Sequence, residues 1–536
     1  MKKSNSVVIV GVVFAVVIVL LLGIFAIIKS NPGGGRTKES MLKHIKVTEK
    51  EPVKASISLE DNSLYDELPE ITKYPEAVKG SGQLDVEIFT SGEKAGDGND
   101  SWLIDVAKKF NAEGNEIGGK SVSMTVRSVP SGTAADYIIS NKYLPDIYTP
   151  SNTLFGEYAM VNGGRLELYA DRMVGNTAGI LVKKGEYSKF SDVIAAVQNG
   201  QLNMGYTNPQ TSATGLNLLV TLMQDGEENF TRFNQNIPYV AYTTQQMRDS
   251  ASNGKLDAIL TEYQTYINDD NLKSIYDFIP FGIRHDNPAY LCDKDSKTPE
   301  ELEAIDMVMD YCLSDEMQKI ATNKGFNANE DYKSDLVFTG AQVSEALSSY
   351  KVNKDNGKDI IAVFVADCSG SMYGDPIIQL KESLSNGMQY INENNYVGLV
   401  SYSDDVAIEV PIAQFDMNQK AYFQGGINSL TANGSTASYD AVVVAMDMIE
   451  KEKKNHPDAK AMIFLLSDGY QNVGYELDTI KPALKESQIP VYTISYTSEA
   501  DTDAMRELSE VNEAATINAD SEDIVYKIKS LFNSQM

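Results

Sequence analysis

The run Asp367-Cys-Ser-Gly-Ser371 places one carboxylate and two hydroxyls at alternate positions, directly after the apolar segment DIIAVFVAD at 359–367. An apolar run without alternation is the pattern of a strand covered on both faces. A residue at the carboxyl end of such a strand points into the crevice above the sheet. Oxygens two residues apart in extended or looped backbone can converge on one point. Oxygen donors without imidazole or thiolate suit a hard cation, Mg2+ or Mn2+. Three ligands do not complete an octahedron, and two later segments offer the rest. Thr436 lies in a glycine-containing loop ahead of the amphipathic run SYDAVVVAMDMI, and Asp468 closes a second apolar strand, KAMIFLLSDG. Cys368 reads as a buried filler. Asp404 and Asp405 read as the turn of an antiparallel edge hairpin.

A second group of residues repeats one design, a strand ending in small hydroxyl residues with a helix after it. The turns are IFTSGE (Thr90, Ser91), SVPSGTAADYI (Ser131, Gly132, Thr133), DIYTPSN (Thr149, Ser151) and TNPQTSATG (Thr211, Ser212, Thr214). Hydroxyls and free N–H groups at helix starts bind anions or polar oxygens, helped by the helix dipole. Loops at the carboxyl ends of strands form the ligand crevice of open α/β sheets. These turns therefore predict a cleft for a small polar or anionic solute.

Other chemistries are excluded or weak. GNEIGGKS at 114–121 satisfies the phosphate-loop spacing, yet a helical stripe precedes it and an alternating strand follows, the reverse of what phosphate binding at a helix start requires. The three histidines are His44, His285 and His456, the last two in turn-like sequence, so no Ser-His or Cys-His pair or His-rich zinc site is expected. Cys292, Cys312 and Cys368 include no close-spaced pair. With 46 basic against 75 acidic residues the net charge is −29, which leaves no spare cationic surface for nucleic acid. The expectation is recognition without catalysis.

The elements that position these residues fall into four segments, 1–30, 31–82, 83–350 and 351–536. Val7 to Ile28 carries no charge and as a helix would span roughly 33 Å, enough for the hydrocarbon core. It is too long for a signal-peptide core and lacks an A-x-A site, so it reads as an uncleaved anchor. Lys2 and Lys3 precede it and Lys29, Arg36, Lys38, Lys43 and Lys46 follow it, a count that favours an inward-facing chain. Large domains translocate largely regardless of charge, and the bulk is placed outside the cell membrane as a single-pass protein. Residues 31–82 are polar and weakly periodic, a stalk. Beyond them, strands alternate with amphipathic helices in two regions, an α/β class with parallel sheets in both.

The 83–350 region resembles a type II periplasmic-type solute-binding protein. The likeness rests on the order of a small-residue loop after the first strand, TAGILVKKG, NMGYTNPQTSATGLNLL, ASNGKLDAILTEY and MQKIATNKGFNA. It implies two lobes, two crossover strands and a ligand closed between them. D-x-S-x-S, a loop threonine and an apolar strand ending in S-D-G resemble the von Willebrand factor type A domain, across 359–536. That resemblance implies a doubly wound, mostly parallel sheet and a metal-ion-dependent adhesion site at Asp367, Ser369, Ser371, Thr436 and Asp468. In that site the hydroxyls touch the metal, the aspartates act mostly through waters, and a protein partner offers a carboxylate. The whole chain then reads as a membrane-anchored recognition protein at a bacterial surface. A transport-linked solute receptor docking to a permease complex is the alternative.

Overall fold

The computed structural model describes residues 37–57, 63–241, 247–248, 256–353, 358–468, 471–495, 501–512, 514, 516–518 and 524–535. The expected anchor, Val7 to Ile28, lies outside them. No helix among the described residues is long and apolar enough to cross a membrane.

The eight residues Ile360–Asp367 are all buried. They form the middle strand of a seven-stranded sheet, flanked in parallel by Tyr396–Tyr402 and Lys460–Ser467. Alternate side chains leave a strand on opposite faces. Ile360, Ala362, Phe364 and Ala366 therefore share a core with Leu380, Leu384, Phe423 and Ile427, from helices Asp375–Gly387 and Met417–Ser429. Ile361, Val363 and Val365 pack on the other face against helices Ser438–Glu452 and Leu477–Ser487. Phe364 stacks on Phe464 with centroids 5.0 Å apart and meets Phe532 edge-on at 5.3 Å. Each such buried ring stabilises by roughly 1.5–3 kcal/mol, so packing alone fixes where the strand ends project.

Asp404 and Asp405 occupy the turn between Tyr396–Tyr402 and Val406–Gln414, which pair antiparallel. That hairpin is not the sheet's edge, because Val47–Glu49 adds in parallel beyond it. The segment expected to be a stalk is thus built into the fold. Met41 is fully buried in the C-terminal core, and Lys38 pairs with Glu450 and Asp447. Farther on, Glu76–Val78 joins the other region by pairing with Lys120–Ser128. The segment's buried apolar residues Met41, Ile45, Leu68 and Val78 are each donated to a core that other segments build, while Val47 and Val53 stay exposed. That leaves it without a periodicity of its own.

Residues 76–292 build two further sheets. One takes its strands in the order Glu76–Val78, Lys120–Ser128, Leu84–Thr90, Ile147–Thr149, Ala289–Cys292, Leu166–Ala170. The other runs Tyr239–Ala241, Met204–Thr207, Ala258–Glu262, Thr177–Lys183, Tyr276–Arg284. The chain crosses between these lobes over 171–176 and again over 285–288. Helix Gly340–Asn353 packs on Leu154–Val161 of the first lobe and Ala213–Met223 of the second, straddling both. The phosphate-loop spacing falls on a hairpin: Glu116–Ile117 and Lys120–Ser128 pair across Gly118 and Gly119, whose φ values of 56° and 83° suit a tight two-residue turn. From the C-terminal helix, Tyr526 donates to Asp136 of the first lobe at 2.9 Å, and Lys529 meets Glu67.

Candidate functional site

Asp367 ends its strand with three hydrogen bonds to its carboxylate. Oδ1 accepts from the Ser369 N–H at 2.8 Å, and Oδ2 accepts from Tyr402 at 2.9 Å and Ser467 at 2.6 Å. Burial, and Asp468 nearby, still push the Asp367 carboxyl above the usual range. The bond from Ser369 N–H fixes the loop so that the Ser369 and Ser371 hydroxyls lie 3.0 Å apart. The Gly370 N–H donates to Gly434 O at 2.9 Å, stitching this loop to the one carrying Thr436. Thr436 is held by Asn472, whose Oδ1 accepts the Thr436 N–H at 2.8 Å. Gly434 has φ +73°, and a Cβ there would meet the Asp404 carboxylate, which also accepts from the Ser435 N–H.

Asp468 is 4% exposed, and its buried Oδ1 has no hydrogen-bond partner. Two carboxylates in one electrostatic neighbourhood, one with an orphaned oxygen, beside a pair of hydroxyls, form an oxygen-only donor set that fits a hard divalent cation. Among the described residues no group of three or more His, Cys, Asp or Glu gathers as a metal site, so any ion here depends on the hydroxyls. Cys368 is buried, and burial pushes its thiol up to about 12, which suits a filler.

The hydroxyl turns converge on a cavity of about 310 Å3 between the lobes. Ser91, Ser131, Ser151, Thr211, Ser212 and Thr214 line it. Gly132 instead bridges the lobes, its N–H donating to Thr211 O at 3.1 Å. Thr90 does not line the cavity; its hydroxyl and that of Thr149 are buried without partners at adjacent strand ends. Ser212 caps helix Ala213–Met223 and receives the Thr207 hydroxyl at 2.8 Å.

Sequence reasoning missed the charged lining: Glu93, Asp100, Arg248 and Glu262. Glu262 carried the same signal as Asp367, a carboxylate closing an apolar strand. His285, set aside as a turn residue, is fully buried in a crossover, with Nδ1 2.7 Å from Glu262. The Arg284–Asp286 ion pair and the Asn287 bonds to the Val174 and His285 carbonyls tie this short segment to the other crossover.

Residues 362–533 match the sequence model of the von Willebrand factor type A domain, and residues 95–327 that of the bacterial extracellular solute-binding protein. Among curated proteins, inter-alpha-trypsin inhibitor heavy chain H3 of Bos taurus is 29% identical over 119 residues, and heavy chain H4 of the same species 30% over 119. Each alignment takes in 21% of this chain and 13% of the relative, so the chain spans about an eighth of the length of the curated relatives it matches. Among solved structures, a periplasmic thiamin binding protein aligns at 14% identity over 50% of this chain and 95% of its own, with a TM-score of 0.39. A von Willebrand factor type A protein from Catenulispora acidiphila aligns at 16% over 33% and 42%, with a TM-score of 0.30. The chain joins a C-terminal von Willebrand factor type A domain to a bacterial solute-binding-like domain.

Proposed function

We propose that this is a membrane-anchored, extracytoplasmic recognition protein. Its C-terminal domain binds a protein partner through a divalent cation, and its lobes hold a small polar solute. The observation that carries the reading is the orphaned, buried Asp468 Oδ1 beside Asp367 and the paired Ser369 and Ser371 hydroxyls. Ser369, Ser371 and Thr436 would hold Mg2+ or Mn2+ directly, with Asp367 and Asp468 anchoring its waters. Bound there, the ion supplies an electrophilic position for a partner's carboxylate. The chain's own work is to pre-position the donors. Tyr402 and Ser467 lock Asp367, and Asn472 locks the Thr436 loop. The test is calorimetric titration of the full chain with Mg2+, then partner capture with and without chelator. Capture that survives both chelator and Asp468→Ala would refute the mechanism.

A further inference from the structure

The charges of the cleft narrow what it can hold. Glu93 and Asp100 come from the first lobe and Glu262 from the second, and all three line the cavity. Their fields overlap: Glu93 acts on Asp100, and both Glu93 and Glu262 act on Lys94. Two cations stand near them. Arg248 lies 3.4 Å from Asp100. Lys94 is fully buried, bonded to Asn287 at 2.5 Å and Ser91 at 2.7 Å and 3.4 Å from Glu93. Lys94 thus offsets Glu93, and Arg248 offsets Asp100.

Glu262 is hydrogen-bonded to neutral groups. Asn176 donates to Oε2 at 2.6 Å, and Thr214 and His285 Nδ1 face Oε1 at 3.3 and 2.7 Å. The state of His285 follows from its other nitrogen. Nε2 faces Nδ2 of Asn152 at 2.9 Å and of Asn217 at 3.2 Å. Both amides are oriented by backbone. Asn152 Oδ1 accepts from the Leu154 N–H while its Nδ2 donates to Ala213 O, and Asn217 exchanges the same pair of bonds with Ile283. Two donors therefore point at Nε2, which must accept, so the ring is neutral and donates from Nδ1 to Glu262. Among the described residues, three carboxylates thus face two cations, and one negative charge in the cavity wall is left in excess.

The shape of the site selects among cations. The three carboxylates are not gathered as a metal group among the described residues. Among the described residues no aromatic ring lines the cavity, so they offer no cage to a quaternary ammonium, which has no N–H and relies on aromatic faces. An ammonium has three donors to spend on carboxylate and hydroxyl oxygens.

We propose that the cleft takes a small organic solute bearing a protonated primary amine, with Glu262 as its counter-ion and the serine and threonine hydroxyls holding the polar remainder. This rests on the reading of the interlobe cavity as the solute site, and it revises the anionic part of the sequence-based expectation. The test uses three probes of one chain length, putrescine, butanediol and succinate, titrated calorimetrically into the full chain in detergent. Putrescine is expected to bind at least tenfold tighter than the other two, and Glu262→Gln to weaken it by tenfold or more. Tighter binding of butanediol or succinate would overturn the amine proposal while leaving the cleft as a solute site. Equal putrescine affinity in folded Glu262→Gln would overturn the role of that carboxylate. No binding of any probe at millimolar concentration would overturn both readings. The comparison of probes on the parent chain stands even if the variant fails to fold.

Discussion

Asp136 offers a sharp test of how the two regions meet. It lies on helix Ser131–Ser140, whose first residue lines the cleft, and it accepts the Tyr526 hydroxyl from the C-terminal helix. Burial raises its carboxyl from 3.8 to about 6, although Tyr526 and Lys529 pull it down. The folded value lies above the unfolded one, so the folded state binds the proton more tightly. The resulting stability is fully present below about pH 4 and is lost as pH rises through 6. At about 1.4 kcal/mol per pKa unit, ionised Asp136 costs the folded state roughly 3 kcal/mol at pH 8, and less where solvent relaxes it. Asp136→Asn keeps an acceptor for Tyr526 and removes the charge. It should stabilise by about 1–3 kcal/mol at pH 8, with the gain shrinking toward zero near pH 4. Scanning calorimetry at both pH values, with hydrogen exchange followed on 131–140, separates this helix from the rest of a multidomain transition. A variant equally destabilised at both pH values would show that Asp136 acts through packing, and the argument would fail.

Ser212→Ala should remove the helix cap and cost about 1 kcal/mol of stability, while also weakening solute binding; unchanged affinity in calorimetry would remove Ser212 from the site. All three thiols should resist a maleimide in the native protein and react in denaturant, since each is buried and Cys368 is pushed up to about 12. Cys368→Ala should leave Mg2+ affinity nearly unchanged, and a large loss would make the thiol part of the site. Protease added to intact cells should remove the folded regions and leave a short membrane stub, whereas full protection would place them inside.

Asp367, Ser369, Ser371 and Asp468 of the proposed cation site could be picked out in the sequence because each lies at or just beyond the end of an apolar strand. Such a strand ends in the crevice wherever the sheet is built, so Asp367 and Asp468 needed no knowledge of their neighbours. The hydroxyl turns were legible for the same reason. The cleft's charge was not. Whether Glu262 is balanced depends on Lys94, Asn152, Asn217 and His285, which lie between 23 and 168 residues away along the chain. The role of residues 37–78 was hidden for a different cause. Val47–Glu49 is exposed at every position, so it has no inside and outside to alternate. Its place is set by backbone pairing, with Lys46 and Lys50 on either side meeting Asp405 and Glu409.

That pairing determines how a pull would travel through the molecule. The chain passes from residue 37 into the C-terminal sheet through Val47–Glu49, and only afterwards into the first lobe through Glu76–Val78. The proposed partner site lies on the same C-terminal sheet. Tension applied between residue 37 and a partner gripping that site would therefore run through one sheet and its packed helices. The two lobes hang beside this line, so a tethered molecule could be loaded in flow without its cleft being pried open.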